Sequence, residues 1–431
     1  MRRSAAALEA SALISAMLVL PACSTGGTAP ESGGAGDPAK AEITYAGWTP
    51  EQGTFDEILA GFNADNPDIK VSSNLAPYDD YLTSLRTELS AGQGPDIFAL
   101  EPGALLTQFK GFAVPVDQLA DDSSWAEKYT DSALGGATVD GTVYGLPTGV
   151  NAAGFLWVNE TLLEQDKVTI PTDYDQLVSA VATLEANGHV GVAYGGKDAW
   201  QNLDLFMSVA NGIDSDALYK ALDGNGSWQE PKLVESFAAY QRIFNDRVVQ
   251  DGATGAATYM DAVNLFLDGK AAFYASGSWE LGMTVADSTK DRMAKFSSTV
   301  IPFPTPSSDG SGYITADASS ILVINKSSKN QAAAFKLAQY MSSGAGGQVL
   351  TDFFLDTPPI KDAPGPAGLS ESAAETRKVL TSAIADQYAG YRQLRNVEVK
   401  EALSGALTQL MLGSMTAEQA AQTVQQASES A

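Results

Sequence analysis

The sequence predicts an α/β protein built as two lobes, and three observations carry that prediction. Apolar runs of strand length alternate with segments whose apolar residues recur every three or four positions, the pattern of a largely parallel sheet flanked by helices. The chain has 431 residues, more than one core organises at roughly 100–200 residues per domain. At 44% hydrophobic and 18% charged residues, its body has the composition of an ordinary globular protein.

The elements follow in order. Residues 42–46 read as the first strand, and Phe55, Ile58, Leu59 and Phe62 place a helix directly after it. A strand over 69–75 and a helix carrying Leu82, Leu85 and Leu89 come next. The turn Gly92-Gln93-Gly94-Pro95 leads into a strand over 97–100. The second block opens with a strand over 154–158. Thr172 and Asp175 resemble a capping box, which starts a helix bearing Tyr174, Leu177, Val181 and Leu184. Further helices are predicted at 201–211, 232–247, 258–268 and 280–288, with short strands at 190–194 and 271–274. The chain returns through Thr299-Val300-Ile301-Pro302 and a Gly-, Ser- and Pro-rich loop at 303–316. A strand over 320–324, a helix over 329–342 and a mostly helical tail from about residue 370 complete it. Trp125, Trp157 and Trp228 read as packing residues.

Charge and composition exclude several functions. The formal charge is −26, which argues against nucleic acid as a partner, because phosphates need clustered Lys and Arg. Cys23 is the one cysteine and His189 the one histidine. An intrachain disulfide, a Cys-based or two-His metal site, a Ser-His-Asp triad and a Cys-His dyad are therefore unavailable within the chain. No cofactor or metal is expected. His189 follows Gly188 at a predicted helix end and reads as structural, since a helix C-terminus favours a cationic imidazole.

The N-terminus carries its own signal. Arg2 and Arg3 precede an apolar run over 10–20, which is too short for a permanent transmembrane helix. Leu20-Pro21-Ala22-Cys23 follows and resembles a bacterial lipobox. Cleavage before Cys23 leaves a thiol to carry lipid, so residues 1–22 are expected to be a lipoprotein signal peptide. Residues 23–40, rich in Ser, Gly, Thr, Ala and Pro, are expected to be a flexible tether. That predicts a chain anchored to the outer face of the cytoplasmic membrane.

Six segments, in order, resemble the family-1 extracellular solute-binding proteins of ABC importers, the group that includes maltose-binding protein. They are ITYAGW with GFNADNPDIKV; YDDYLTSLRTELSAGQGPDIFAL; YGLPTGVNAAGFLWVNETLL; IPTDYDQLVSAVATLEANG; FLDGKAAFYASGSWELG with STVIPFP; and SSILVINKSSKNQAAAFKLAQYM. The resemblance implies a type-II periplasmic-binding fold, with two α/β lobes on a hinge and the ligand in the cleft between them. It places residues 41–148 with 303–352 in lobe 1, and 149–300 with 356–431 in lobe 2. Hinge crossings then fall near 147–151, 300–302 and 353–359. It also implies a sugar as ligand and permease subunits, with a separate ATPase, as partners of a monomer.

A neutral sugar needs aromatic platforms for its C–H faces and side chains that donate and accept hydrogen bonds. The resemblance puts a stacking aromatic at Trp279, with core packing as the alternative, and cleft aromatics at Trp48 and Trp200. It puts polar contacts at Glu51, Tyr78, Asp80, Glu101, Asn151, Glu280, Asp317 and Arg392. Of Asp79 and Asp80, one is an equal candidate for a helix cap. The main rival is a secreted glycosidase working through cleft carboxylates; a surface adhesin is a third class. No S-x-x-K, G-x-S-x-G or Walker sequence supports another enzyme, and no catalytic residue is expected.

Overall fold

A computed structural model describes residues 40–307 and 312–430. The expected signal segment, Cys23 and the tether as far as residue 39 lie outside the described residues.

The first sheet grows from local β-α-β units. Strand β1 (Ala41–Gly47) pairs in parallel with β2 (Ile69–Leu75) and β3 (Ile97–Leu100). The intervening helices, Gln52–Asp65 and Tyr78–Ser90, cover the sheet. The first buries Phe55, Ile58 and Phe62, three residues on one helical face, against Ile43, Tyr45 and Ile97. A two-stranded hairpin, β4 (Thr138–Val139) with β5 (Thr142–Val143), precedes the short strand β6 (Leu146–Pro147).

The chain then enters the second sheet along β7 (Val150–Asn159), a ten-residue strand buried over most of its length. Strands β8 (Val190–Ala193), β9 (Ala271–Gly277), β10 (Ser298–Pro302) and β11 (Ile314–Ala318) join this sheet. Next, β12 (Ile321–Ile324) returns to the first sheet, and β13 (Tyr388–Tyr391) closes the edge of the second. The orders are β2-β1-β3-β12-β6 and β13-β11-β7-β9-β8, with β10 paired to β7. Gly154 sits where the partner of β7 changes from β11 to β10. Its φ is +101°, and a Cβ there would lie 2.4 Å from the Tyr313 carbonyl oxygen.

Several sequence expectations are corrected. The end of the expected loop, residues 314–316, is part of strand β11, which belongs with the second sheet, between β7 and β13. The second passage between lobes therefore runs through Ser319 and Ser320, not near 300–302. The predicted helix at 280–288 is a short 3-10 turn, Ser278–Thr284. The helix Tyr174–Ala186 is capped by Asp173, whose carboxylate accepts from the Gln176 amide at 2.9 Å, and not by Thr172. The helix after Pro77 already includes Tyr78, so Asp80 lies in its first turn instead of capping it. His189 closes the helix before it through a backbone bond to Leu184 and faces Asp166 at 3.5 Å. Trp125, Trp157 and Trp228 are buried.

The hinge is three chain passes laced side by side. Thr148 N–H donates to the Ser320 carbonyl at 3.0 Å, and Ser319 N–H to that of Gly149 at 2.8 Å. Val150 and Thr357 exchange backbone bonds of 2.9 and 3.3 Å. A further contact between lobes follows β13: the Ala104 amide donates to the Leu394 carbonyl at 2.6 Å. Gly103, with φ +79°, permits that approach, because a Cβ there would lie 2.4 Å from the same oxygen.

Candidate functional site

Between the lobes lies a cavity of about 320 Å³ whose floor is the hinge. The lobe 1 wall is set by loops at strand ends, as expected for open α/β sheets. Trp48 follows β1 in a loop held by the buried Tyr45, whose hydroxyl donates to the Thr49 carbonyl at 2.7 Å. Its ring meets Tyr78 edge-on, centroids 5.1 Å apart. The Tyr78 hydroxyl donates to Glu101 Oε2 at 2.7 Å, and Glu101 stands directly after β3. Lys400 Nζ, on the second-lobe helix Val397–Met411, lies 3.9 Å from the same oxygen.

The opposite wall is an aromatic cluster on a buried ionic support. Trp200 opens the helix Ala199–Leu222, Tyr259 heads Tyr259–Leu267, and Trp279 follows β9. Trp200 lies 5.8 Å from Trp279 and 5.3 Å from Tyr259, centroid to centroid. Behind them the Arg392 guanidinium sits 4.6 Å from the Trp279 ring centre, a cation–π contact. Asp204 grips that guanidinium with two hydrogen bonds of 2.8 Å, and Asn151 Oδ1 accepts a third at 3.3 Å. Trp200 and Asp204 are four residues apart and so share a helix face. Burial pushes the Asp204 carboxyl above the ordinary carboxylate range, and the Arg392 charge and hydrogen bonds oppose the shift without cancelling it.

Glu280 is buried and does not line the cavity. Its Oε1 accepts from the Tyr274 hydroxyl at 2.5 Å, the Ser276 hydroxyl at 2.6 Å and the Trp279 indole N–H at 3.2 Å. It therefore orients Trp279 from behind. Burial raises its pKa, and these donors pull it back. Gly277 leaves room for the indole: a Cβ there would lie 2.0 Å from a ring carbon of Trp279.

Of the residues expected from sequence, Trp48, Tyr78, Glu101, Asn151, Trp200, Trp279 and Arg392 line this cavity. Four do not. Glu51 is exposed at the N-cap of Gln52–Asp65 with no side-chain cap bond, and Asp80 is exposed on the helix surface. Glu280 is the support just described. Asp317 is buried and accepts from the Gln393 amide at 3.3 Å and from Arg395 at 3.1 Å, so it shapes the segment that carries Arg392.

Sequence reasoning missed Thr49, Thr148, Tyr259, Ser319, Ser320, Phe354 and Asp356, which also line the cavity. Asp204, which holds Arg392, was missed as well. The four-residue spacing from Trp200 to Asp204 was a usable signal, as was a carboxylate inside the expected crossing at 353–359. Asp356 is 7% exposed, accepts from the Ser319 hydroxyl at 2.5 Å, and is pushed up to about 7 by burial against the opposing pull of Ser319 and Arg392.

A cleft whose floor is the hinge itself is the architecture of the type-II periplasmic-binding class. The maltose-bound MalE3 of T. maritima shares this fold with a TM-score of 0.75 at 21% identity, over 90% of this chain and 99% of that one. The chain belongs to the bacterial extracellular solute-binding protein family, whose model matches residues 46–348. That membership gives it an extracytoplasmic place of work. A binding protein of Brucella abortus is 27% identical over 239 residues, 54% of this chain; the match spans 57% of that relative's length. The galactooligosaccharide-binding protein of Bacillus subtilis is 24% identical over 74% of this chain and 73% of its own.

Proposed function

We propose that this protein is the lipid-anchored capture component of an ABC importer and that its cargo is a neutral mono- or oligosaccharide. The observation that carries the reading is the pairing of two aromatic walls with a polar hinge floor in one cavity. Trp279 and Trp200 offer apolar faces to sugar C–H groups. Glu101, Asn151, Thr148, Ser319 and Ser320 offer hydroxyl partners. The lining cation, Arg392, is already held by Asp204 and Asn151, which disfavours phosphorylated or uronic cargo. A few such bonds, each costly if left unmade in a dry site, are enough for micromolar affinity, about −8 kcal/mol.

In this reading the lobes close on the sugar, and the closed monomer docks on permease subunits served by a separate ATPase. Cys23 carries the lipid that keeps the protein at the outer face of the cytoplasmic membrane. The protein binds without turnover. A glycosidase reading draws on one observation: two carboxyl groups, Glu101 and Asp356, line the same cavity.

A thermal-shift screen tests both readings. The panel is galactose, xylose, maltose, cellobiose, lactose, maltotriose and N,N′-diacetylchitobiose, with each sugar recovered and chromatographed. A native-state ligand raises the melting temperature by mass action. A shift with the sugar recovered intact is expected. Cleavage would move the protein to the hydrolases, and no shift with any sugar would overturn the carbohydrate assignment.

A further inference from the structure

Sugar binding gives no reason for a carboxyl group buried in the hinge with a single hydrogen-bond donor. Asp356 lies on the third pass between lobes, and its Oδ2 accepts from Ser319 on the second. Gly149, on the first, is so close that a Cβ there would lie 3.3 Å from the same carboxyl. All three passes thus meet on one side chain. Its Oδ1 is buried and has no hydrogen-bond partner, and the residue borders the cavity.

We propose that Asp356 couples cargo capture to a proton: closure of the lobes over a sugar dries this carboxyl and favours the neutral acid, so binding takes up a proton from the medium and weakens as the pH rises towards neutrality. The inference rests on the sugar-capture reading above. An ionised carboxylate needs several donors, and here one serine hydroxyl is supplied. In this proposal, opening the lobes wets the hinge floor and solvates the charge, and closure returns the carboxyl to the buried state described here. Linkage makes the coupling reciprocal, so protonation favours closure as much as closure favours protonation.

The groups around Asp356 assign the effect to it. Arg392 is the cation that acts on it, and that guanidinium is engaged by Asp204. Glu101 borders the same cavity from lobe 1 and faces Lys400. The buried acids Asp204, Glu280 and Asp317 each bond to partners within the second lobe, so lobe closure leaves those bonds unchanged. His189 pairs with Asp166 away from the cavity lining. A raised pKa of about 7 at Asp356 places the transition in an accessible range.

The test is calorimetry with whichever sugar of the panel binds, in phosphate and in Tris at pH 7.5. The wild type should show buffer-dependent heats equivalent to uptake of a fraction of a proton, and an affinity that falls by at most about tenfold per pH unit as the pH rises to about 7 and levels off above it. Asp356→Asn should abolish the uptake and flatten the profile. Ser319→Ala, which keeps the acid but removes its donor, should carry the uptake to higher pH. Glu51→Gln, at an exposed acid outside the cavity lining, should leave the uptake in place. Equal heats in the two buffers for the wild type, or uptake persisting in Asp356→Asn, would overturn the proposal. A cargo-free arm decides independently: by small-angle scattering, Asp356→Asn should be more compact than wild type at pH 8.5 and equal to it at pH 4. If no sugar binds, the capture reading fails while this arm still judges the coupling of Asp356 protonation to closure, and identical scattering at both pH values refutes it.

Discussion

Removing Arg392 alone should cost far more than removing Arg392 and Asp204 together. Their side chains are 7% and 13% exposed and are joined by two bonds of 2.8 Å. Breaking such a pair strands the remaining charge in a dry site, at about 3–5 kcal/mol, whereas replacing both partners with apolar groups of similar size is often neutral or better. Unfolding entropy of roughly 2.1 cal/mol/K per residue, over about 390 described residues, amounts to about 0.8 kcal/mol/K. A loss of 4 kcal/mol then lowers the melting temperature by about 5 °C. We expect that drop in Arg392→Met and in Asp204→Leu, and recovery of most of it in the double variant. Calorimetry or far-ultraviolet dichroism is the suitable assay, because Trp279 lies against Arg392 and its fluorescence would change for local reasons. A double variant as unstable as the sum of the two singles would refute the view that each charge is tolerated only because of the other.

Two further outcomes follow from the site. Trp279→Ala should weaken binding of the panel sugar at least about tenfold, or about 1.4 kcal/mol, and Trp279→Phe should retain most of the affinity; calorimetry that finds full affinity in the alanine variant would remove the stacking role. Asp356→Asn should change stability with a definite sign. Between the ordinary value of 3.8 and the native value of about 7, the native state holds a proton that the unfolded chain has released, so wild-type stability falls as pH rises through that window. The full difference is about 4 kcal/mol, and the asparagine variant should be the more stable of the two at pH 8, with the gap closing towards pH 4. Urea titrations in which the two proteins share one pH slope would show that this carboxyl is not held neutral.

Much of the fold was legible because it is local. The strand and helix segments between residues 41 and 100 repeat their apolar residues at the strand and helix periods, and the structure places elements there. The aromatic residues of the cleft were legible for a related reason: Trp48 and Trp279 stand just past strand ends, where open α/β sheets expose their loops. What escaped was non-local. Residues 314–316 look like loop because their neighbours are Gly, Ser and Pro, yet they are held by β7, more than 150 residues earlier, and by β13, more than 70 residues later.

The sequence by itself determined the α/β class, the two-lobe scale, the family and the aromatic character of the cleft. These follow from periodicity, length and short motifs, which depend on residues near one another in the chain. Only the tertiary structure decided what each carboxylate does. Glu101 reaches the cavity, Glu280 and Asp317 orient other side chains from behind it, and Asp204 neutralises the arginine beneath Trp279. Asp356 joins the hinge passes. A carboxylate's charge and role are set by burial and by which donors meet it, and for all of these but Glu280 the donors arrive from segments far apart in sequence.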